Sequence, residues 1–486
     1  MIIPNVEVRL NARPLEARVL ALRVAARISQ PTQAEVTLAG PADGWPIGVP
    51  LRISIDDEML FDGEVTAMEL MRGPGSESAW VLRGYDLLHR LRKRQQPRVF
   101  ENITVADLAR ALVADCGLEV ECDNAGSPIP RLVQHRQTDW ELLSQTAARH
   151  GVYLILDGDK LCLTKLRPRG EAIELKLGDT LWQARIEANV DRSLGSVTAI
   201  GWHAEQAEVR KEKATAPRRD NLPEIAVDAT QTLVDQPLAN LAEAAQAALD
   251  LSAARTVHLD GTARGNTALR PGRAVAVHGL ADAVTGVHPL CSTIHTVTAE
   301  GYQTWFSTQP PSVAAAPSGA SVTLGRVESV ADPHGAGRVQ VSLPAYGEVD
   351  LGWLSVLCPG AGPGKGIVAL PDAGDLVVVA LPHENPAEAI VLGSLYGPAT
   401  PPDAGVEGGA VRRWTLHSGA GQSIVIDDEH KLVRLSNADG SRLELAPDLV
   451  TLCAHTDMVI EAPGHHLTIR SAAVDFEHAM LPEVIS

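Results

Sequence analysis

Apolar and polar residues alternate through most of the chain, the pattern of half-buried strands rather than helices. Between Asn5 and Gly84 about six such runs succeed one another, among them 17–23, 34–38, 51–55, 61–70 and 80–84. Turn clusters at 41–44 and 73–75 separate them, and short, evenly spaced strands of this kind predict a barrel or sandwich. The next hundred residues change character. Thr104 precedes a helical pattern with Val105, Leu108, Leu112 and Val113 on one face, and a second helix is predicted over 139–150, closed by Gly151. A hairpin follows, with strands 152–156 and 160–163 joined at Asp157-Gly158. From about Trp182 strands return, interrupted by an alanine-rich helix over 237–254 and ending at 295–306. A Pro/Gly/Ala-rich stretch at 310–319 reads as a linker, 322–396 as a compact all-β block containing the apolar run Leu376 to Leu381, and 397–409 as a second linker.

The last segment carries the most specific pattern. Apolar pairs two apart recur at Ile424/Ile426, Val433/Leu435, Leu443/Leu445, Val450/Leu452, Met458/Ile460, Leu467/Ile469 and Val474/Phe476, in steps of 9, 10, 7, 8, 9 and 7 residues. Turn residues at Asp427-Asp428, 437–440, Pro447-Asp448 and Pro463-Gly464 separate most of them. A strand–turn repeat of about eight residues is the mark of a β-solenoid. Strands this short cannot bury their own core, so three chains wound about a shared axis are expected, with the residues from Ile424 to Ile469 named above as its interior. An antiparallel meander would give the same spacing.

Length and composition narrow the classes. At 486 residues the chain suggests three or four domains. Aromatic residues are 3% and the net charge is −18, which together disfavour nucleic acid, since base-stacking platforms and a cationic surface are both missing. No stretch approaches the roughly 20 apolar residues needed to cross a bilayer. The N-terminus lacks a signal-peptide pattern, so the chain is expected to be assembled in the cytoplasm. The six cysteines form no CxxC and read as buried thiols.

Motifs that could carry chemistry resolve into structural features. The loop 360–366 resembles a phosphate cradle, but Gly366 follows Lys365 where Ser or Thr is required, and 367–370 reads as strand. His383-Glu384 lacks a second His at the proper spacing, and Pro386 ends any helix, so a polar turn is expected. His465-His466 reads as strand, which points the two rings to opposite faces; only one His from each of three chains could share an ion. The sequon Asn102-Ile-Thr104 means little without a secretion signal. Carboxylate pairs such as Asp56/Asp57 and Asp427/Asp428 sit in predicted turns, and no Gly-x-Ser-x-Gly occurs. No catalytic, cofactor or metal residues are assigned.

An ordered set of motifs resembles the hub–spike proteins of contractile injection systems: VgrG of type VI secretion, the spike of extracellular injection systems, and the hub–spike of contractile phage tails. In the first half these are Gly84-Tyr85-Asp86 with Leu91, then 104–108, 138–143 and 147–151 with Tyr153. After them come 269–272, Val275, Val277, Gly286-Val287, His295 and 301–306. Gly325-Arg326-Val327, Asp332-Pro333, 337–341, Trp353, Pro371, Gly374-Asp375 and 390–396 resemble the family's OB-fold neck, and 414–419 through Asp428 the start of its spike.

The resemblance implies a mainly β protein with two barrel-like hub domains (1–88 and 182–309) flanking an α/β insertion (89–181). A linker (310–321), an OB-fold neck (322–397), a second linker (398–411), an intertwined trimeric β-helix (412–478) and a possible tip seat (479–486) follow. It implies a structural homotrimer of about 155 kDa, three times the 51.6 kDa chain, that adapts a six-fold tube to a three-fold needle. The partners implied are a PAAR-type tip protein, inner tube and baseplate proteins at the hub, and effector cargo; the destination is an injection particle or virion. The competing expectation is a β-helical polysaccharide-degrading tailspike or an adhesin.

Overall fold

The computed structural model describes residues 4–475 apart from 41–43, 45, 73–77, 124–125, 190, 192, 204–207, 217–228, 235, 281–285 and 313–318. The turn at 73–75, most of the linker 310–319, Phe476 and the tip seat 479–486 lie outside the described residues. The chain forms two compact units, Met1–Leu395 and Tyr396–Ser486.

The larger unit is built on an eleven-stranded sheet to which two widely separated stretches of the chain contribute. Strands Val6–Leu10, Arg13–Pro14, Val19–Arg27, Gln30–Ala39, Pro50–Ile55, Glu58–Arg72 and Ser78–Tyr85 come from the N-terminal stretch, and Leu181–Ala188, Val257–Arg264, Ser292–Thr298 and Gly301–Ser307 from much later in the chain. The seam is the antiparallel pairing of Ser292–Thr298 with Val19–Arg27, in register from Ser292 opposite Arg27 to Val297 opposite Leu22. Two cores lie along this one sheet. Leu22, Val36, Leu51, Ile53, Phe61, Trp80 and Leu82 fill the first; Leu181, Leu259, Leu269, Val275, Leu290 and Phe306 fill the second. Gly84 marks a close approach in the first, because a Cβ there would lie 2.8 Å from the Glu64 carbonyl oxygen and 2.9 Å from Leu51 Cδ2. Asp86 caps the turn after it. Its buried carboxylate accepts the Thr32 amide at 2.6 Å and the Leu88 amide at 3.1 Å.

Between these stretches two capped helices pack on a small sheet. Helix α1 (Val105–Val113) starts where Thr104 Oγ1 accepts the Asp107 amide, and α2 (Asp139–Arg149) carries a reciprocal capping box between Thr138 and Glu141. Gly151, at φ +65°, takes the left-handed position that ends α2. The following hairpin pairs Asp157 with Lys160, so its two-residue loop is Gly158-Asp159, one residue later than the sequence expectation. A third helix, α3 (Leu241–Thr256), lays Leu241, Ala245 and Leu249 on Val197 and Ala199 of strand Ser196–His203.

The β block after the first linker has five strands in the order Val349–Ser355, Arg338–Leu343, Ser321–Ser329, Leu376–Leu381, Ile390–Leu395. A bridge from Val356 to Val391 joins its two edges, the closure of an OB-type barrel. Its valine- and leucine-rich core also takes in Val133 from the α/β insertion. Arg131 donates to the Asp350 carbonyl at 2.6 Å, which ties the two parts together. One local expectation fails here and one holds. Residues 367–370 form no strand; Ile367 and Val368 lie exposed in an irregular loop, since Gly360, Gly364 and Gly366 all sit at positive φ and break the alternation needed for pairing. His383 and Glu384 do form a turn, both at positive φ.

The C-terminal unit is an antiparallel meander of Arg413–His417, Ser423–Asp427, Leu432–Ser436, Arg442–Leu445 and Val450–Cys453. The stretch expected as the second linker contains a short hairpin, Val406–Glu407 against Ala410–Val411, turned by Gly408 and Gly409 at positive φ.

Candidate assembly face

The register of the meander decides where its apolar residues go. Trp414 lies opposite Ile426, Ile426 opposite Val433, Val433 opposite Leu445, and Leu445 opposite Val450. Leu416, Ile424, Leu435, Leu443 and Leu452 form a second such row. Because side chains alternate across a strand, both rows stand on one face. The eight residues expected there from the four pairs Ile424/Ile426 to Val450/Leu452 are thus brought together. Trp414 and Leu416 extend the rows by one strand; they show the same two-residue spacing, ten residues before Ile424/Ile426, and that signal identifies them.

Burial on this sheet is inverted. The ten apolar side chains are between 39% and 70% exposed, whereas Thr415, Val425, Arg434, Glu444 and Thr451 on the opposite face are only half-exposed. That opposite face is laced by polar contacts: Arg434 Nε donates to Glu444 at 2.8 Å, and the Ser423 and Ser436 hydroxyls meet at 2.9 Å. The turns are pinned similarly. Asp427 accepts the His430 amide at 2.9 Å, which holds its carboxyl below the usual range. Arg413 bridges Asp403 at 3.0 Å and Glu407 at 2.7 Å, and holds the Asp403 carboxyl far below the ordinary carboxylate range.

The remaining expected interior residues are not brought into the rows. Met458, Ile460, Leu467 and Ile469 lie exposed in a segment without strand pairing within the chain, as does Val474. His465 and His466 fall in this segment too, not on a strand: Pro463-Gly464 turns the backbone, and the His465 amide donates to the Ala462 carbonyl at 2.9 Å.

Elsewhere burial shifts two titratable groups in opposite senses. Burial pushes Asp86 up to about 6 despite its two amide donors, and lowers His295 to about 4. The His295 ring is held between the Leu269 carbonyl and the Tyr302 hydroxyl, each at 2.9 Å. Asp139, buried at the start of α2, is met by Arg98 at 2.5 Å, Gln134 at 2.8 Å and Arg94 at 3.3 Å. Among the described residues no group of three or more His, Cys, Asp or Glu is placed to hold a metal ion, and no helix is long and apolar enough to cross a membrane. None of the six cysteines is in a disulfide.

Comparison with known proteins follows the same division of the chain. The family model of the type VI secretion system/phage-baseplate injector OB domain matches residues 323–396, the five-stranded barrel. The model of the Alg8 N-terminal domain matches residues 44–299. No curated protein matches. Among solved structures, an E. coli component of the type VI secretion system, titled as structurally similar to T4 bacteriophage tail proteins, is 14% identical with a TM-score of 0.53. It covers 80% of this chain and 99% of its own. The Francisella PdpA–VgrG complex is 9% identical with a TM-score of 0.57, covering 93% of this chain and 88% of that one. The prophage MuSo2 43 kDa tail protein from Shewanella oneidensis is 18% identical with a TM-score of 0.50, over 63% of this chain and 97% of its own. At these identities the likeness is one of fold. By its matched sequence the chain belongs over residues 44–299 to the family of the Alg8 N-terminal domain and carries a type VI secretion system/phage-baseplate injector OB domain at 323–396, and its fold is similar to VgrG-like and phage-tail proteins of the contractile injection systems.

Proposed function

We propose that three copies of this chain wind their C-terminal segments into one shaft, and that the trimer works mechanically as the central spike of an injection machine. The observation that carries this reading is the inverted burial of the meander, which turns ten large apolar side chains to solvent in a single chain. Fully burying an aliphatic side chain is worth about 1.5–3 kcal/mol. With roughly half of each already out of water, ten of them contribute on the order of 10 kcal/mol per chain on assembly. A second chain, itself carrying the same two rows, is the partner of matching chemistry. Met458, Ile460, Leu467 and Ile469 continue the repeat and, in this reading, find their strand partners on neighbouring chains.

The hub would then seat on the tube and baseplate, the OB barrel would form the neck, and the far end of the shaft would carry a PAAR-type tip, with cargo attached to the particle. Sheath contraction would supply the work and the shaft would transmit it through threaded inter-chain hydrogen bonds. No step in this role calls for a catalytic residue.

Cysteine cross-linking tests the winding. With Leu443→Cys and a short bis-maleimide, neighbouring chains brought together at the axis give covalent bands that stop at three chains. The same change at Arg434, on the polar face, gives fewer. Equal yields from both positions, or no band beyond one chain, would sink the proposal.

A further inference from the structure

The hub contains a cleft of about 450 Å³ that the assembly reading does not use, and four arginines line it: Arg27, Arg169, Arg270 and Arg273. The local fold forces this concentration of charge. The Arg273 amide donates to the Arg270 carbonyl at 3.2 Å around a turn whose centre is Pro271-Gly272, with Gly272 at φ +86°. Proline followed by a glycine at positive φ is the chemistry of a type II turn, and it sets two arginines at its corners. Strand Arg273–His278 then runs parallel to Arg169–Lys176, in register with Arg169 facing Arg273. Like charges directly opposite on neighbouring strands are destabilising.

Acids offset them only in part. Among the described residues no carboxylate lies within 4.0 Å of the Arg27, Arg270 or Arg273 guanidinium; Arg169 has Glu121 at 3.6 Å. Arg270 donates to the Thr267 and Met59 carbonyls, and Arg27 to the Ser292 hydroxyl at 3.1 Å. Arg273 is exposed. The two acids of the lining are Glu58, which accepts the Thr267 hydroxyl, and Asp157. Four guanidinium groups against Glu58, Asp157 and the Glu121 beside Arg169 leave the cleft positive in a chain whose net charge is −18. A second observation points to a missing ligand: Thr293 is one of the lining residues, is 1% exposed, and its buried hydroxyl has no hydrogen-bond partner. An unmet buried hydroxyl costs about 1–3 kcal/mol. The apolar walls supplied by Val24, Leu60, Ile155 and Leu156 suit an organic body rather than a bare ion.

We propose that this cleft is a docking site for an acidic peptide segment of a partner protein, its carboxylates held by Arg273, Arg169 and Arg27 and one of them accepting the Thr293 hydroxyl. Charge-assisted guanidinium–carboxylate bonds are the natural reader of such a segment.

The probe is fluorescein-labelled hexaglutamate, its anisotropy followed on titration with the full-length protein in 50 mM NaCl, with hexaglutamine as the neutral control. Hexaglutamate is expected to bind and hexaglutamine not. Arg273→Glu is expected to weaken binding at least tenfold and Arg273→Gln less, with Arg326→Glu on the distant OB barrel leaving it unchanged. Melting temperatures of all three variants are measured beside the wild type, and Arg273→Gln carries the test if Arg273→Glu melts early. No binding of hexaglutamate at millimolar protein would overturn the proposal, as would equal weakening by Arg273→Glu and Arg326→Glu. Displacement of the peptide by an equimolar amount of inorganic phosphate would assign the cleft to small anions instead. The solution mass of each variant is recorded separately, so a failure here is distinguishable from a failure of the trimer.

Discussion

Placing a glutamate at the centre of the apolar rows separates a lone meander from a shared shaft. Leu435 stands between Ile424 and Leu443 and is 53% exposed in the single chain. If the chain acts alone, the carboxylate of Leu435→Glu reaches water, and the cost is that of a surface substitution, within about 1 kcal/mol. If three chains share the axis, three unpaired carboxylates enter its interior. Each costs roughly 3–5 kcal/mol, as when one partner of a buried ion pair is removed, so the trimer loses on the order of 10 kcal/mol. That is about one chain's entire apolar contribution from the ten side chains, and like-charge repulsion adds to it. Sedimentation velocity between about 0.1 and 20 µM, with Arg434→Gln as the control on the polar face, reads this directly. The variant is expected to run as a folded single chain while the control keeps the wild-type coefficient. If Leu435→Glu sediments as the wild type does, the rows are not an interior and the reasoning fails.

Two further outcomes follow from the larger unit. Asp139→Asn removes the charge that Arg94 and Arg98 meet at the start of α2; the loss is expected to be about 3–5 kcal/mol, read as a lowered urea midpoint with an unchanged slope. The pH dependence is set by two buried groups of opposite sign. Asp86, raised to about 6 by burial, contributes stability that is full below about pH 4 and lost as pH rises through 6. His295, lowered to about 4 by burial, contributes stability present above about pH 6.5 and lost as pH falls through 4. Between pH 4 and 6 the two slopes oppose each other. Asp86→Asn removes the falling one, so urea midpoints of the variant should climb more steeply with pH than those of the wild type; parallel curves would contradict the assignment.

Local chemistry was legible in the sequence and long-range pairing was not. Thr104 announced the start of the first helix because a cap needs only residues three positions away, and Gly151 announced the end of the second for the same reason. The two-residue spacing of apolar pairs fixed which side chains share a face, and the registers from Trp414 to Leu452 agree with it. Alternation says nothing of which strand lies next door, however. That Ser292–Thr298 pairs with Val19–Arg27, making one sheet of two separate stretches, rests on contacts across more than 260 residues. The Arg169/Arg273 juxtaposition was hidden for the same reason, since the two residues meet only through a parallel ladder. His465-His466 and 367–370 were misread as strands where glycine and proline turn the backbone within a few residues. The repeat beyond Cys453 kept its spacing but found no ladder within one chain, because spacing defines a face and pairing needs a neighbour.

The central claim is the oligomer, and light scattering on a size-exclusion column measures it most directly. The full-length chain, loaded at micromolar concentration, is predicted to elute with a mass of about 155 kDa, three times its 51.6 kDa, and to hold that mass on tenfold dilution. A single species of 51.6 kDa at every concentration would contradict the account, leaving the exposed rows of the meander without the neighbours their chemistry calls for.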